Sequence, residues 1–397
     1  MMQKLTVEDV PVKGKLVFIR VDFNVPLDEN HNIVEDTRIR AALPTINHCI
    51  DEGARIIVAS HLGRPKGVVN HKYSLKPVHK RLERLLAKEV LFAPDCIGPQ
   101  VRELAGQLVP GQVLLLENVR FHKAETANDP AFAKALVEGC EAFVNDAFGA
   151  AHRAHASTAG VAAHVPVSVA GFCMKKEIEY FERVMMNPTR PVAAIMGGAK
   201  VSDKIGAITN LLDRMDKVII GGGMMFTFLK AMGYEIGRSI VEENMLDTAR
   251  GIMEHARAKG VKFYLPVDCV VADKVAPDAE IRIVPTQEIP PLWSGLDIGP
   301  ATMRLFAESL QDTRTILWNG PMGLFEMEPF SRGTFFLAHT LADSYALTII
   351  GGGDTDVAVH RAGEASNMSY SSTGGGAFLQ LMEGIPLPGI EVLTEKP

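Results

Sequence analysis

LVFIRVDFNVPLDENHNIVEDTRIRAALPTINHCIDEGARIIVAS, residues 16–60, opens on an apolar run, passes through a polar stretch into helical periodicity, and closes on a second apolar run. An unbroken apolar run reads as a strand buried on both faces, and two such strands joined through a helix lie parallel in one sheet. The alternation continues outward through LKPVHKRLERLLAK, VLLLENV, AFAKALVEG and AFVNDAF. It begins again with PVAAIMGG, KVIIGGG, VKFYLPVD, TILWNG and LTIIGGG, followed by helical stretches such as SDKIGAITNLLDRM and SRGTFFLAHTLADS. The fold class expected is α/β, with two doubly wound parallel-sheet, Rossmann-like domains. CMKKEIEYFERVMMN carries apolar residues at helical spacing and stops at Pro188, which predicts a long helix bridging the two sheets. The expected divisions are an N-terminal domain over 1–172, an interdomain helix over 173–187, a C-terminal domain over 188–384 and a tail over 385–397. The tail, Pro-rich, reads as extended and is expected to pack back toward the N-terminal domain.

The 397 residues suffice for two or three domains at roughly 150 each, so no disulfide or metal staple is needed to hold a core. Hydrophobic residues at 47% and charged residues at 22% exclude a disordered chain. Lys and Arg total 41 against 47 Asp and Glu, a net charge of -6 that gives no global reason to hold nucleic acid or an acidic membrane. Any anion site must be local. No apolar run reaches membrane-spanning length and the start, MMQKLTVEDV, has no signal-peptide core, so a cytoplasmic chain is expected. Cys49, Cys96, Cys140, Cys173 and Cys269 include no CxxC pair, which favours reduced thiols over bridges or a zinc site.

Three apolar strands of the second half run into glycines: Gly197 and Gly198, Gly221 to Gly223, and Gly351 to Gly353. Ligands sit at these ends of an open parallel sheet, and glycine lets backbone N–H groups approach a phosphate. One such turn is ordinary strand-to-helix geometry; three on one sheet point to a nucleotide. Neither GxxxxGK[ST] nor a strand-bound GxGxxG is present, so neither a P-loop nor a dinucleotide fingerprint is met. Lys200 and Lys204 would share a face of a helix beginning beside the first glycine pair. Asp354 with Thr355 opens the helix after the third, where a carboxylate can hold Mg²⁺ or merely cap the helix. Thr373, before three glycines in SSTGGGA, marks another helix N-terminus with unpaired N–H groups for an anion. Asn319 on a strand end and Glu326 in the following loop suit nucleotide contacts.

Nine of the twelve histidines lie before residue 165, several beside arginines at strand ends: His61 and Arg64 in HLGRP, Arg120 in ENVRF, and His152, Arg153 and His155 in AHRAH. Arg38 opens TRIRAALP. An isolated arginine is most simply a surface ion pair, but four at strand ends or first turns suggest a small, multiply anionic substrate. Asp22 and Asn24 are placed to bind its hydroxyl. No GxSxG or nucleophilic Cys signature supports Ser or Cys hydrolase chemistry.

RVDFNVP, DTRIRAALPTI, SHLGRPKG, YSLKPV, LLLENVRFH, NDAFGAAHRAHAST, GGAKVSDKI, GGGMMFTFLK, LPVDCVVAD, GLDIGP, WNGPMGLFE, GGGDT and STGGGA follow one another along essentially the whole chain. Together they closely resemble the phosphoglycerate kinase family. The resemblance implies two lobes facing each other across a cleft and closing on a hinge. It implies reversible phosphoryl transfer from 1,3-bisphosphoglycerate to ADP, giving 3-phosphoglycerate and Mg-ATP, in a cytoplasmic glycolytic monomer. It assigns Asp22, Phe23, Asn24, Arg38, His61, Leu62, Gly63, Arg64, Arg120 and Arg153 to phosphoglycerate. It assigns Lys204, Gly222, Gly223, Gly295, Asn319, Glu326, Gly352, Gly353, Asp354 and Thr355 to the nucleotide. Arg38, Lys200 and Gly375 would meet the moving phosphoryl group, and Asp354 is the expected Mg²⁺ contact.

The chemistry agrees independently of the resemblance. The nucleophile is a β-phosphate oxygen in one direction and a carboxylate in the other, both ionised at neutral pH, so no general base is required. Asp356 stands where the family usually has a small residue, and its charge is expected to weaken the ATP site slightly. A two-domain dehydrogenase lacks its GxGxxG here, and a phosphometabolite or nucleotide sensor derived from the same fold is the remaining alternative.

Overall fold

Leu16–Val21 (β1) is buried at every position, as its unbroken apolar run requires. Its side chains alternate between two hydrophobic clusters. Val17, Ile19 and Val21 pack with the helices Thr37–Asp51 and Lys76–Leu86, while Leu16 and Phe18 pack with Pro99–Gln107 and Pro130–Leu136. The computed structural model describes residues 4–397, so the first three residues of the expected first domain lie outside the described residues. β1 joins Arg55–Ala59 (β2), Val90–Phe92 (β3), Val113–Leu115 (β4), Ala142–Asp146 (β5) and Ser168–Ala170 (β6) in a parallel sheet of order β3-β4-β2-β1-β5-β6.

The later strands are Val192–Met196 (β7), Lys217–Ile220 (β8), Lys262–Tyr264 (β9), Asp268–Ala272 (β10), Ile281–Pro285 (β11), Ser294–Ile298 (β12), Thr315–Asn319 (β13), Leu347–Gly351 (β14) and Tyr370–Ser371 (β15). Six of them form a second parallel sheet of order β15-β14-β13-β7-β8-β9, which carries all three glycine-ended strands. Two six-stranded parallel sheets with covering helices meet the α/β expectation. A third sheet, antiparallel and of order β11-β10-β12, was not read from sequence. Its outer strand β11 is largely exposed, so it lacks the unbroken apolar signature that marks the parallel strands.

The chain divides into two compact units: residues up to Glu179 together with Pro386–Pro397, and Tyr180–Ile385. The division falls inside the helix Phe172–Met185. The tail departs from the extended form expected of it, because Pro388–Glu391 makes a short helix with Pro388 at its start. Within the first unit, Gly389 N–H donates to the Ala151 carbonyl at 2.9 Å, Thr394 N–H to the Ser168 carbonyl at 2.8 Å and Asn145 Nδ2 to the Gly389 carbonyl at 2.8 Å. All five cysteines are free thiols. Among the described residues no helix is long and apolar enough to cross a membrane.

Candidate active site

In an open α/β sheet the ligand crevice lies where the strand order reverses, beyond the carboxyl ends of the strands. That reversal falls between β1 and β5 in the first unit and between β7 and β13 in the second. Several of the predicted residues stand at these strand ends, Asp22 and Asn24 after β1, Lys200 and Lys204 after β7, and Asn319 at the end of β13.

In the first unit, Asp22 follows β1 and accepts from Arg38 Nη1 at 3.0 Å, while Arg38 also reaches the Asn24 carbonyl at 3.3 Å. Asn24 Oδ1 accepts the Gly63 N–H at 2.8 Å. Gly63 has φ +63°, and a Cβ there would stand 2.3 Å from the Tyr73 ring, so glycine is required on both counts. Arg120, on the turn Val119–Phe121, donates from Nη1 to the Gly63 carbonyl at 2.9 Å, and its buried Nε has no partner. Burial, reinforced by Arg20 and Arg153, pushes its guanidinium down to about 10, so it stays charged at neutral pH. His61 is buried, and desolvation followed by the fields of Arg20, Arg120, Arg38 and Arg153 holds its pKa well below the usual range. The imidazole is therefore neutral in a cationic surrounding. His155 is pushed down to about 4, first by burial and then by Arg120. Phe23 and Leu62 are buried beside these groups, Arg153 is half-buried, and Arg64 is exposed.

In the second unit, Gly197 N–H donates to the Asn319 carbonyl at 2.9 Å, joining the ends of β7 and β13. The same carbonyl accepts from Lys204 Nζ at 2.9 Å. Burial, partly offset by Asp354 and Asp203, lowers Lys204 to about 8. The two lysines do not share a helix face as expected. The helix is Ile205–Leu212, Lys204 caps it, and Lys200 lies in the preceding loop, exposed. The positive φ of Gly198, at +102°, turns the chain away from helical geometry there. Asn319 Nδ2 donates to the Gly351 carbonyl at 2.9 Å, and Thr355 Oγ1 accepts the Gly320 N–H at 2.6 Å.

The helices Gly353–Arg361 and Gly375–Met382 begin side by side: a Cβ on Gly375 would lie 3.4 Å from both Gly352 Cα and Gly353 N. Two helix N-termini converge, each with first-turn N–H groups that have no intrahelical partner and a positive dipole end. Asp354 is exposed in the first turn of one of them. Asp356 instead accepts from Ser371 Oγ on β15, so its charge is engaged in holding the strand that leads into Thr373 and the second helix start. Gly222, at φ +64°, would place a Cβ 2.4 Å from Gly198 N. Gly223 packs on Ala199, Gly295 lies on β12 with its open side filled by the Phe226 ring, and Glu326 is exposed in its loop.

A family model for phosphoglycerate kinase matches residues 7–385. The phosphoglycerate kinase of Geobacter sp. (strain M21) is 61% identical over 385 residues, covering 97% of this chain and 96% of that protein. The cytosolic phosphoglycerate kinase of Triticum aestivum is 55% identical over 393 residues, covering 98% of each. The solved phosphoglycerate kinase of Coxiella burnetii superposes with a TM-score of 0.90 at 43% identity, covering 98% of each chain. The chain belongs to the phosphoglycerate kinase family.

It is an enzyme of the phosphoglycerate kinase type, and neither the dehydrogenase nor the sensor alternative finds support in these likenesses. The structure also adds residues that the motifs did not single out. Arg20, fully buried, donates from Nε to Ser157 Oγ at 2.8 Å and lies 3.1 Å from His61 Nδ1 through Nη2. Ser157 Oγ donates in turn to Glu125 Oε1 at 2.6 Å, and Glu125 is itself fully buried. Asn118 Nδ2 holds the Leu62 carbonyl at 2.7 Å and the Tyr73 carbonyl at 2.9 Å. A signal for Arg20 was available: it is the one charged residue inside the apolar run LVFIRV. Glu125 and Ser157 carried none, because Glu125 sits on the short helix Lys123–Thr126 and its partner lies far along the chain in a separate turn.

Proposed function

We propose that the chain transfers a phosphoryl group reversibly between 1,3-bisphosphoglycerate and ADP, with the first unit holding the phosphoglycerate and the second the nucleotide. Arg38, Arg120 and Arg153 neutralise the phosphoglycerate charges, with Arg64 joining them from its exposed position. Neutral His61 donates a hydrogen bond, and Asp22 orients Arg38 while Asn24 and Gly63 shape the pocket wall beside Phe23 and Leu62. The observation that carries this reading is His61, kept uncharged within reach of four arginines, which makes the pocket an anion receptor without a titrating base at neutral pH.

Lys204 and the paired helix starts at Gly352–Gly353 and Gly375 receive the nucleotide phosphates, with Asn319 and Thr355 fixing the loops around them. Gly222, Gly223 and Gly295 line the base pocket and Glu326 contacts the sugar side. Asp354 would hold Mg²⁺, because it is an exposed carboxylate at a helix start beside the anion-receptive N–H groups. The ion would neutralise charge on the nucleotide phosphates. Lys200 and Arg38 stabilise the transferring oxygens, and the nucleophile arrives already ionised, so alignment and charge neutralisation supply the catalysis.

Closure of the two units along the helix near residues 173–187 brings the substrates together and limits hydrolysis of the acyl phosphate. The same reading makes the enzyme a cytoplasmic monomer. Calorimetric titration separates the two binding roles. Arg120→Ala weakens 3-phosphoglycerate at least about tenfold with ADP unchanged, and Asp354→Ala weakens Mg-ADP with 3-phosphoglycerate unchanged. Both variants losing both ligands equally would contradict the division.

A further inference from the structure

Outside the residues assigned to either candidate site, the first unit gathers Asp95, Cys96 and His122, one potential ligand atom from each lying within 4.8 Å of the others. Asp95 and Cys96 sit in the bend after β3, and His122 follows the turn Val119–Phe121. Asp95 Oδ1 accepts from His122 Nε2 at 2.7 Å and from the Cys96 backbone N–H at 2.7 Å. The Cys96 thiol hydrogen-bonds to the same carboxylate. One carboxylate thus faces two protons, on sulfur and on imidazole nitrogen, and each proton can be exchanged for a metal.

Thiolate, imidazole and carboxylate together form the mixed S, N, O donor set of zinc-class cations rather than of Mg²⁺ or Ca²⁺. Burial is graded across the trio: Cys96 is 1% exposed, His122 is half-buried and Asp95 is exposed. The sulfur is therefore the inner ligand, and the solvent side is left for a fourth. The His122 ring is held against Phe132, centroids 5.0 Å apart, so the imidazole is already oriented. Tetrahedral bonds of about 2.0–2.3 Å put ligand atoms roughly 3.5 Å apart, so the Asp95–His122 pair, now 2.7 Å apart, opens to admit the ion, while no pair of the trio closes from beyond 4.8 Å. Cys96 is held well above the usual thiol range, first by desolvation and then by the Asp95 charge, so a cation must displace its proton.

We propose that Asp95, Cys96 and His122 form a binding site for a zinc-class divalent cation, completed by a water molecule. On binding, the thiol proton leaves to solvent, the sulfur lone pair forms the metal bond, and the imidazole proton moves to Nδ1 so that Nε2 can ligate.

The full chain, reduced and stripped of metal, is titrated with Co²⁺. The expected result is one equivalent bound, with a thiolate-to-cobalt charge-transfer band in the near ultraviolet and the visible bands of tetrahedral cobalt, all displaced by one equivalent of Zn²⁺. Cys96→Ser abolishes the charge-transfer band, and Asp95→Asn and His122→Gln each weaken Co²⁺ binding at least tenfold. Asp95 is at the surface, so Asp95→Asn keeps the test valid if Cys96→Ser fails to fold. Absence of the band in the wild type, or its persistence in folded Cys96→Ser through another thiol, overturns the proposal.

Discussion

Arg20 Nη2 lies 3.1 Å from His61 Nδ1, and the pair decides which imidazole nitrogen carries the proton. A guanidinium has only protons to offer, so Nδ1 must accept and Nε2 must hold the hydrogen. The positive charge of Arg20 also opposes a second proton, second only to burial in lowering the His61 pKa.

Replacing Arg20 by Gln removes that charge while keeping a donor. The His61 pKa should rise, and a His61 that titrates makes substrate affinity depend on pH. The expected outcome is a KM for 3-phosphoglycerate about tenfold higher, with a new pH dependence between about 5 and 7 and a smaller change in kcat. A pH series of KM for wild type and variant checks it. An unchanged, flat profile would show that Arg20 merely fills the core.

Lys204, at about 8, is partly deprotonated in weakly alkaline buffer before any nucleotide arrives. Phosphate beside it favours the charged form, so binding should draw in a proton. Calorimetry at pH 8 in buffers of different ionisation enthalpy should register uptake of about half a proton per ADP. Lys204→Arg, charged throughout, should abolish the uptake, and uptake that survives in this variant assigns it elsewhere.

Asp297 accepts N–H bonds from Gly333 at 2.7 Å and Ile298 at 2.9 Å, yet burial still raises its pKa to about 8. The folded chain therefore keeps a proton that the unfolded chain releases near the ordinary carboxyl value of 3.8. Its contribution to stability is full below that value and is lost as pH rises through about 8, at a slope of up to about 1.4 kcal/mol per pH unit. Asp297→Asn should flatten the fall in stability across this window, measured by urea unfolding at successive pH values. A slope identical to that of the wild type would mean that the carboxyl is ionised in the fold.

The parallel strands were legible because burial on both faces forces an unbroken apolar run, as in LVFIRV and LTIIGGG. β11 was not, since an exposed edge strand is under no such constraint. The glycine turns were legible as glycines, but their partnership was not: nothing in the sequence says that Gly375 abuts Gly352 and Gly353. Lys200 and Lys204 show the opposite failure, where spacing of four suggested a shared helix face and the left-handed turn at Gly198 delayed the helix to Ile205. The phosphoglycerate pocket could be read as a set of arginines and a histidine. The charge state of that histidine depends on its burial and then on Arg20, which is held through Ser157 and Glu125, and these residues meet only in three dimensions.

The most direct test is ADP-dependent formation of ATP from 1,3-bisphosphoglycerate with Mg²⁺, in the wild type and in Lys200→Ala and Arg38→Ala. Turnover by the wild type that falls about 100-fold or more in each variant is the predicted result, since both cations stabilise charge on the transferring group. Variants that keep activity within a few-fold of the wild type, or a folded wild type that binds both ligands without turnover, would contradict the account.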